Sequence, residues 1–166
     1  MKKIGFLIKL SKEGKLQLVE PSEEIKESYI KKSESNLSSA KILLSNDKLE
    51  ESVGLAYYSM YYLLLALLFK VGIKSENHSA SIILLKEVFL LDNKEIFNAK
   101  TERVDKQYYI DFTISKREVE DTVRKAEIFN SKIIDFISKT NNEEITDYRK
   151  GFIDLLDLKQ ETIRKC

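Results

Sequence analysis

The stretch YYLLLALLF at residues 61–69 presents no polar face at any periodicity. A helix that is apolar on every side has to lie at the centre of a bundle or in a subunit interface. At about half the ~20 residues needed to cross a bilayer, the run reads as a buried core helix rather than a membrane anchor. Upstream, Leu49, Val53, Ala56, Tyr57, Met60 and Leu64 recur at helical spacing, so the helix spans about 48–71 and ends at Gly72.

The remaining signals extend this pattern. Ser22, followed by Glu23 and Glu24, caps a helix that runs to about Asn46 through Ile25, Tyr29, Leu37, Ala40 and Leu44. Asn77 caps a short helix through SIILLKEVFLL, and Asp92 with Glu95 opens another from about 93 to 109. Ser115 with Glu118 forms a capping box, with Ile114 and Val119 as a hydrophobic staple, for a helix to about Lys139. Asn141 with Glu144 starts the last amphipathic helix. Five glycines and one proline in 166 residues are too few for a loop-rich or all-β fold. The fold class is therefore all-α: an antiparallel helical bundle with a four-helix core and an extra C-terminal helix. Residues 4–20 read differently, because FLIKL and KLQLV alternate around SKEG and predict a short N-terminal β-hairpin. The expected organisation is a hairpin extension at 1–20, a helical bundle at 21–140, and a C-terminal helix at 141–166 that packs on the bundle or on a partner.

Charge and composition narrow the chemistry. The 28 basic and 27 acidic residues nearly cancel, so no bulk field draws the chain to nucleic acid, and any such binding needs a local patch. The single cysteine, Cys166, permits no internal disulfide, and the single histidine, His78, permits no histidine-based metal pattern. No metal and no cofactor is expected. MKKIGFLIKL begins like a signal peptide, but its apolar run stops at Lys9 with no small-residue cleavage site, so a cytoplasmic location is expected. There is no glycine-rich phosphate loop and no Ser-His-acid signature.

Three groups of residues carry candidate chemistry. In AYYSMYYL, Tyr57 and Tyr61 share one helix face and Tyr58 and Tyr62 the next. They form either a stacking surface for bases or aromatic core packing, and the apolarity beyond Tyr62 favours packing. His78, in the first turn of its helix, has a pKa suited to proton transfer, or else satisfies local hydrogen bonds. In TERVDKQYYIDF (101–112), Phe97, Val104 and Tyr108 share a helical face, which turns Tyr108 inward and leaves Arg103 beside that face, with Gln107 one turn on. Arg103 either presents its guanidinium to a phosphate or pairs with an acid such as Glu102 or Asp105.

Three segments in order, YIKKSESNLSSAKILL, AYYSMYYLLLALLFKVGIKSENHSASIILLKEVF and RVDKQYYIDFTISKREVEDTVRKAEIF, resemble the HEPN domain family over about residues 22–140. The likeness is to its small stand-alone archaeal and bacterial branch. The resemblance implies a bundle that dimerises around an interface cleft. It also implies a link to metal-independent ribonucleases, often toxins paired with a small nucleotidyltransferase-type antitoxin. The usual HEPN ribonuclease motif is an arginine and, after four to six intervening residues, a histidine. Arg103 matches that arginine, but Tyr108, Tyr109 and Ile110 stand where the histidine belongs. Tyrosine, with a reference pKa near ~10, is a poor base at neutral pH. The tyrosine that some partners nucleotidylate lies two residues beyond the motif histidine, a position held here by Ile110. The expectation is a homodimeric RNA- or nucleotide-binding module, with Arg103, Asp105, Gln107, Tyr108, Tyr58 and Tyr62 as binding residues. The alternatives are a ribonuclease toxin using Arg103, Tyr109 and His78, and a non-catalytic dimerisation or interaction protein.

Overall fold

Several helices in this chain begin where a short polar side chain meets the first free backbone N–H groups, and the computed structural model shows these caps formed. It describes residues 2–108, with side chains through 103, and residues 114–157. Ser22 Oγ accepts from the Ile25 N–H to open α2 (Glu23–Ser45), and Asn77 Oδ1 accepts from the Ala80 N–H to open α4 (His78–Glu87). The element order before α4 is α1 (Lys2–Lys12), β1 (Leu16–Leu18), α2, α3 (Leu49–Val71) and β2 (Ile73–Ser75). After it come α5 (Lys94–Tyr108), α6 (Lys116–Lys139) and α7 (Asn142–Asp157). Ser115 and Glu118 form the reciprocal capping box of α6, and Asn141 and Glu144 do the same for α7.

The apolar helix α3 is the axis of the bundle, packing against α2, α4, α5, α6 and α7. It is long and apolar enough to cross a membrane by length and composition, yet 72% of its most apolar window is buried inside the fold. Leu63, Leu64, Ala66, Leu67 and Leu68 are wholly enclosed, which accounts for a helix with no polar side. A buried polar seam crosses the centre: Ser33 Oγ donates to the Ser59 carbonyl at 2.7 Å, and Asn130 Nδ2 donates to Ser59 Oγ at 3.2 Å. These bonds set α2, α3 and α6 in register with one another.

The N-terminal extension corrects the expected hairpin. The described residues do contain one two-stranded antiparallel pair, but its strands are β1 and β2, with Leu16 opposite Ser75 and Leu18 opposite Ile73. The segment expected as the first strand is α1. Phe6, Ile8 and Leu10 alternate as a strand would, but Ile4, Leu7 and Leu10 also follow at three-residue spacing, and Leu7 and Leu10 are the buried pair. Gly14, read as a hairpin glycine, instead ends α1. At φ +72° it lets the Gly14 N–H reach the Ser11 carbonyl and the Lys15 N–H reach the Leu10 carbonyl, the paired bonds of a Schellman motif.

At the other end of the chain, α7 buries Phe152 and Leu155 and sends Arg149 back across the bundle. Its Nη1 donates to the carbonyls of Val19, Val71 and Gly72 at 2.8, 2.9 and 3.2 Å. One guanidinium thus joins α7 to the end of α3 and to the strand that leads out of α1.

Candidate functional site

The turn after α3 decides what α3 faces. Gly72 ends that helix in the left-handed region and β2 reverses the chain, so α4 starts back over the tyrosines of α3. His78, the first residue of α4, stacks on Tyr61 with ring centroids 3.8 Å apart and planes within 11°. Its Nδ1 lies 2.6 Å from the Tyr57 hydroxyl. Arg103 arrives from α5: its guanidinium carbon is 5.3 Å from the ring centres of both Tyr57 and Tyr58, and Nη1 donates to the Tyr58 hydroxyl at 3.1 Å. Lys100, one turn earlier, donates to Ser79 Oγ at 2.5 Å. Two cations, one imidazole and three tyrosines thus meet where α3, α4 and α5 converge.

Burial sets the protonation of this cluster. Tyr57 is fully enclosed, and its burial holds the phenol proton far above the ordinary range. Its hydroxyl therefore keeps its proton and shares one hydrogen bond with Nδ1. Burial, with Arg103 and Lys100 nearby, pushes the His78 pKa below its ordinary value of 6.5. Burial and then Arg103 likewise lower that of Lys100. Just below pH 6.5 the native protein thus holds fewer protons at His78 than the unfolded chain. Stability from this group is fully present above that pH and is lost as pH falls toward the lowered value. Urea denaturation at about pH 7.5 and about pH 5.5 reads this out. The wild type is expected to lose more stability on acidification than His78→Gln, and equal losses would remove His78 as the source.

The structure therefore brings together Arg103, His78 and Tyr58. Tyr62 extends the surface, stacked 6.0 Å from Tyr58 and 5.9 Å from Tyr29, with Lys32 Nζ 5.7 Å from its ring centre. Tyr109 lies outside the described residues, as do the side chains of Asp105, Gln107 and Tyr108. The expected inward face of α5 needs correction. Phe97 is 58% exposed, while Ile96 and Ala99 are buried, so the inner stripe runs Ile96, Ala99, Arg103 and carries the arginine toward α3. Glu102, one candidate partner for Arg103, accepts instead from Thr122 Oγ1 at 2.9 Å. The tyrosine alternatives are divided between the two faces: Tyr57 and Tyr61 are core, while Tyr58 and Tyr62 are half-buried. Lys100 and Ser79 were not anticipated. Lys100 has the signal of three-residue spacing ahead of Arg103, and Ser79 that of adjacency to His78.

Comparison with known proteins places this arrangement. A UPF0332 protein of Pyrococcus horikoshii is 48% identical over 56 residues, which are 34% of this chain and 39% of that protein. The matched part thus spans about two fifths of the relative's own length. The family model described as HEPN domain matches residues 26–139, from the first turns of α2 to the end of α6. That span is most of the chain and contains every residue of the cluster, and on this match the chain belongs to the HEPN domain family.

Proposed function

We propose that this chain is an RNA- or nucleotide-binding HEPN module, active as a homodimer, that holds a phosphate between Arg103 and Lys100. The carrying observation is Arg103 lying over the rings of Tyr57 and Tyr58 while Lys100, one turn earlier on α5, is held to Ser79 in the first turn of α4. Burial first, and then the charge of Arg103, work against the positive charge of Lys100 and lower its pKa. An anion between them removes that cost and gains charge-assisted hydrogen bonds. The first turn of α4, with its N–H groups and no acid, adds to the same field. The half-buried faces of Tyr58 and Tyr62 offer a stacking surface alongside. The HEPN likeness is what favours the homodimer.

His78 favours binding over cutting. Its Nδ1 is already engaged by the Tyr57 hydroxyl and is not open to a substrate as a base. The second reading, a metal-independent ribonuclease paired with a nucleotidyltransferase-type partner, draws on the placement of His78 and Arg103 around the same tyrosine. Fluorescence anisotropy with a labelled single-stranded RNA at fixed salt tests the first reading. Arg103→Ala is expected to weaken binding by roughly 10–100-fold, the worth of a hydrogen bond to a charged group, with partial recovery in Arg103→Lys. Equal binding by wild type and Arg103→Ala, or none by either, would end it. Cleavage of the same RNA in EDTA, lost in Arg103→Ala, would move the assignment to the second reading.

A further inference from the structure

A groove of about 330 Å³ opens between α1, α4 and α5 and shares Ser79 and Lys100 with the site above. That volume is at the lower end of the ~300–1,000 Å³ typical of small-ligand pockets. Ile82 lines it from α4 and Phe97 from α5, with Lys3, Lys94 and Lys100 around them. No carboxylate is among the described residues that line it. Along α5 the order Lys94, Phe97, Lys100 at three-residue spacing makes one stripe of cation, ring, cation.

This alternation selects an occupant with a flat apolar part between two negative charges. An acyl chain would fill an apolar groove of this size without needing cations on both sides of the ring. A single RNA strand repeats a base and a phosphate at each step, and each base can stack on an exposed aromatic face. We infer that the groove is a second nucleotide subsite. The phosphate at Lys100 is shared with the site above, the next base lies on Phe97 against Ile82, and the phosphate beyond it reaches Lys94 and Lys3. The proposal rests on the RNA-binding reading and adds to it a direction for the strand, from the tyrosines of α3 across Lys100 to the start of α5.

Calorimetric titration with the ribonucleotides pA and pApA at one ionic strength tests it, the measured quantity being the ratio of the two affinities within each variant. Wild type is expected to bind pApA about tenfold more tightly than pA, from stacking of the second base. Phe97→Ala should bring that ratio close to unity, and Phe97→Tyr, which keeps the ring, should retain it. Phe97 is 58% exposed, so circular dichroism should show both variants folded. Lys94→Glu should also reduce the ratio. A ratio unchanged in Phe97→Ala and Lys94→Glu would overturn the subsite. If wild type binds pA in an Arg103-dependent way with no gain for pApA, the subsite alone is wrong; if it binds neither ligand, the reading of the whole site fails.

Discussion

Gly72→Ala is expected to destabilise the protein by about 3 kcal/mol or more, a large part of the ~5–15 kcal/mol that holds a domain together. Gly72 has φ +79°, which costs a residue with a Cβ roughly 1–2 kcal/mol. The larger penalty is steric. A Cβ there would lie 2.4 Å from the Val19 carbonyl oxygen and 2.9 Å from the Pro21 nitrogen, both backbone atoms. It would also lie 2.2 Å from Arg149 Nη1, displacing the group that binds three carbonyls. Relief therefore requires the strand lead-out or α7 to move. Gly54→Ala is the control: its Cβ meets nothing within 4 Å inside α3, so it should be neutral or stabilise by up to ~1 kcal/mol. Urea denaturation of both variants decides the matter. A Gly72→Ala loss below about 1 kcal/mol would show that the crowding relaxes without cost.

The second large effect lies at Tyr57, which joins core and site. It is the largest wholly enclosed side chain among the described residues, stacked 6.1 Å from Tyr61, tilted at 5.5 Å from Tyr58, and lying under Arg103. Tyr57→Ala leaves a cavity at the axis of the bundle and should cost about 3–5 kcal/mol. Tyr57→Phe retains the packing and gives up one buried hydrogen bond, about 0.5–1.5 kcal/mol. The two variants separate the roles, because only the phenylalanine protein should remain folded with His78 Nδ1 released. Its RNA affinity is then expected to drop several-fold, since the imidazole loses the bond that fixes its tautomer. Wild-type affinity in a folded Tyr57→Phe protein would remove that bond from the binding mechanism. A loss of stability as large as that of Tyr57→Ala would mean that the hydroxyl, not the ring volume, dominates the packing.

What the residues disclosed in advance follows the range of the interactions involved. Ser22, Asn77, Ser115 and Asn141 were legible as caps because a cap is satisfied within three residues of itself. The centrality of α3 was legible because a helix with no polar face leaves few alternatives. The first strand was misread because residues 4–10 fit a period of two and a spacing of three together, and the choice fell to what covers Leu7 and Leu10. The site was half legible in the same sense. Arg103 and His78 stood out singly, but their meeting depends on α4 folding back over α3, which no local pattern encodes. Tyr57 looked like core and is core, yet it is also the link between the two. Phe97 was placed inward by its spacing to Val104 and Tyr108, when the competing stripe of Ile96, Ala99 and Arg103 buries more tightly. Lys100 gave little notice because a lysine on a helix face is ordinarily just solvated.

The bond from Arg149 to the Val19 carbonyl spans 130 positions, and the HEPN match at 26–139 includes neither end of it. Contacts this distant along the chain carry a heavy loop-closure cost and form after local ones. During synthesis α1 and β1 leave the ribosome ahead of the bundle, and β1 finds its partner strand once β2 has emerged. The face of α1 that packs against α7 is left uncovered by it until all of α2 to α6 has been made. Assembly of this fold is therefore a timing problem as well as a packing one: the bundle can form early, while α1 and β1 wait for α7 to fasten them.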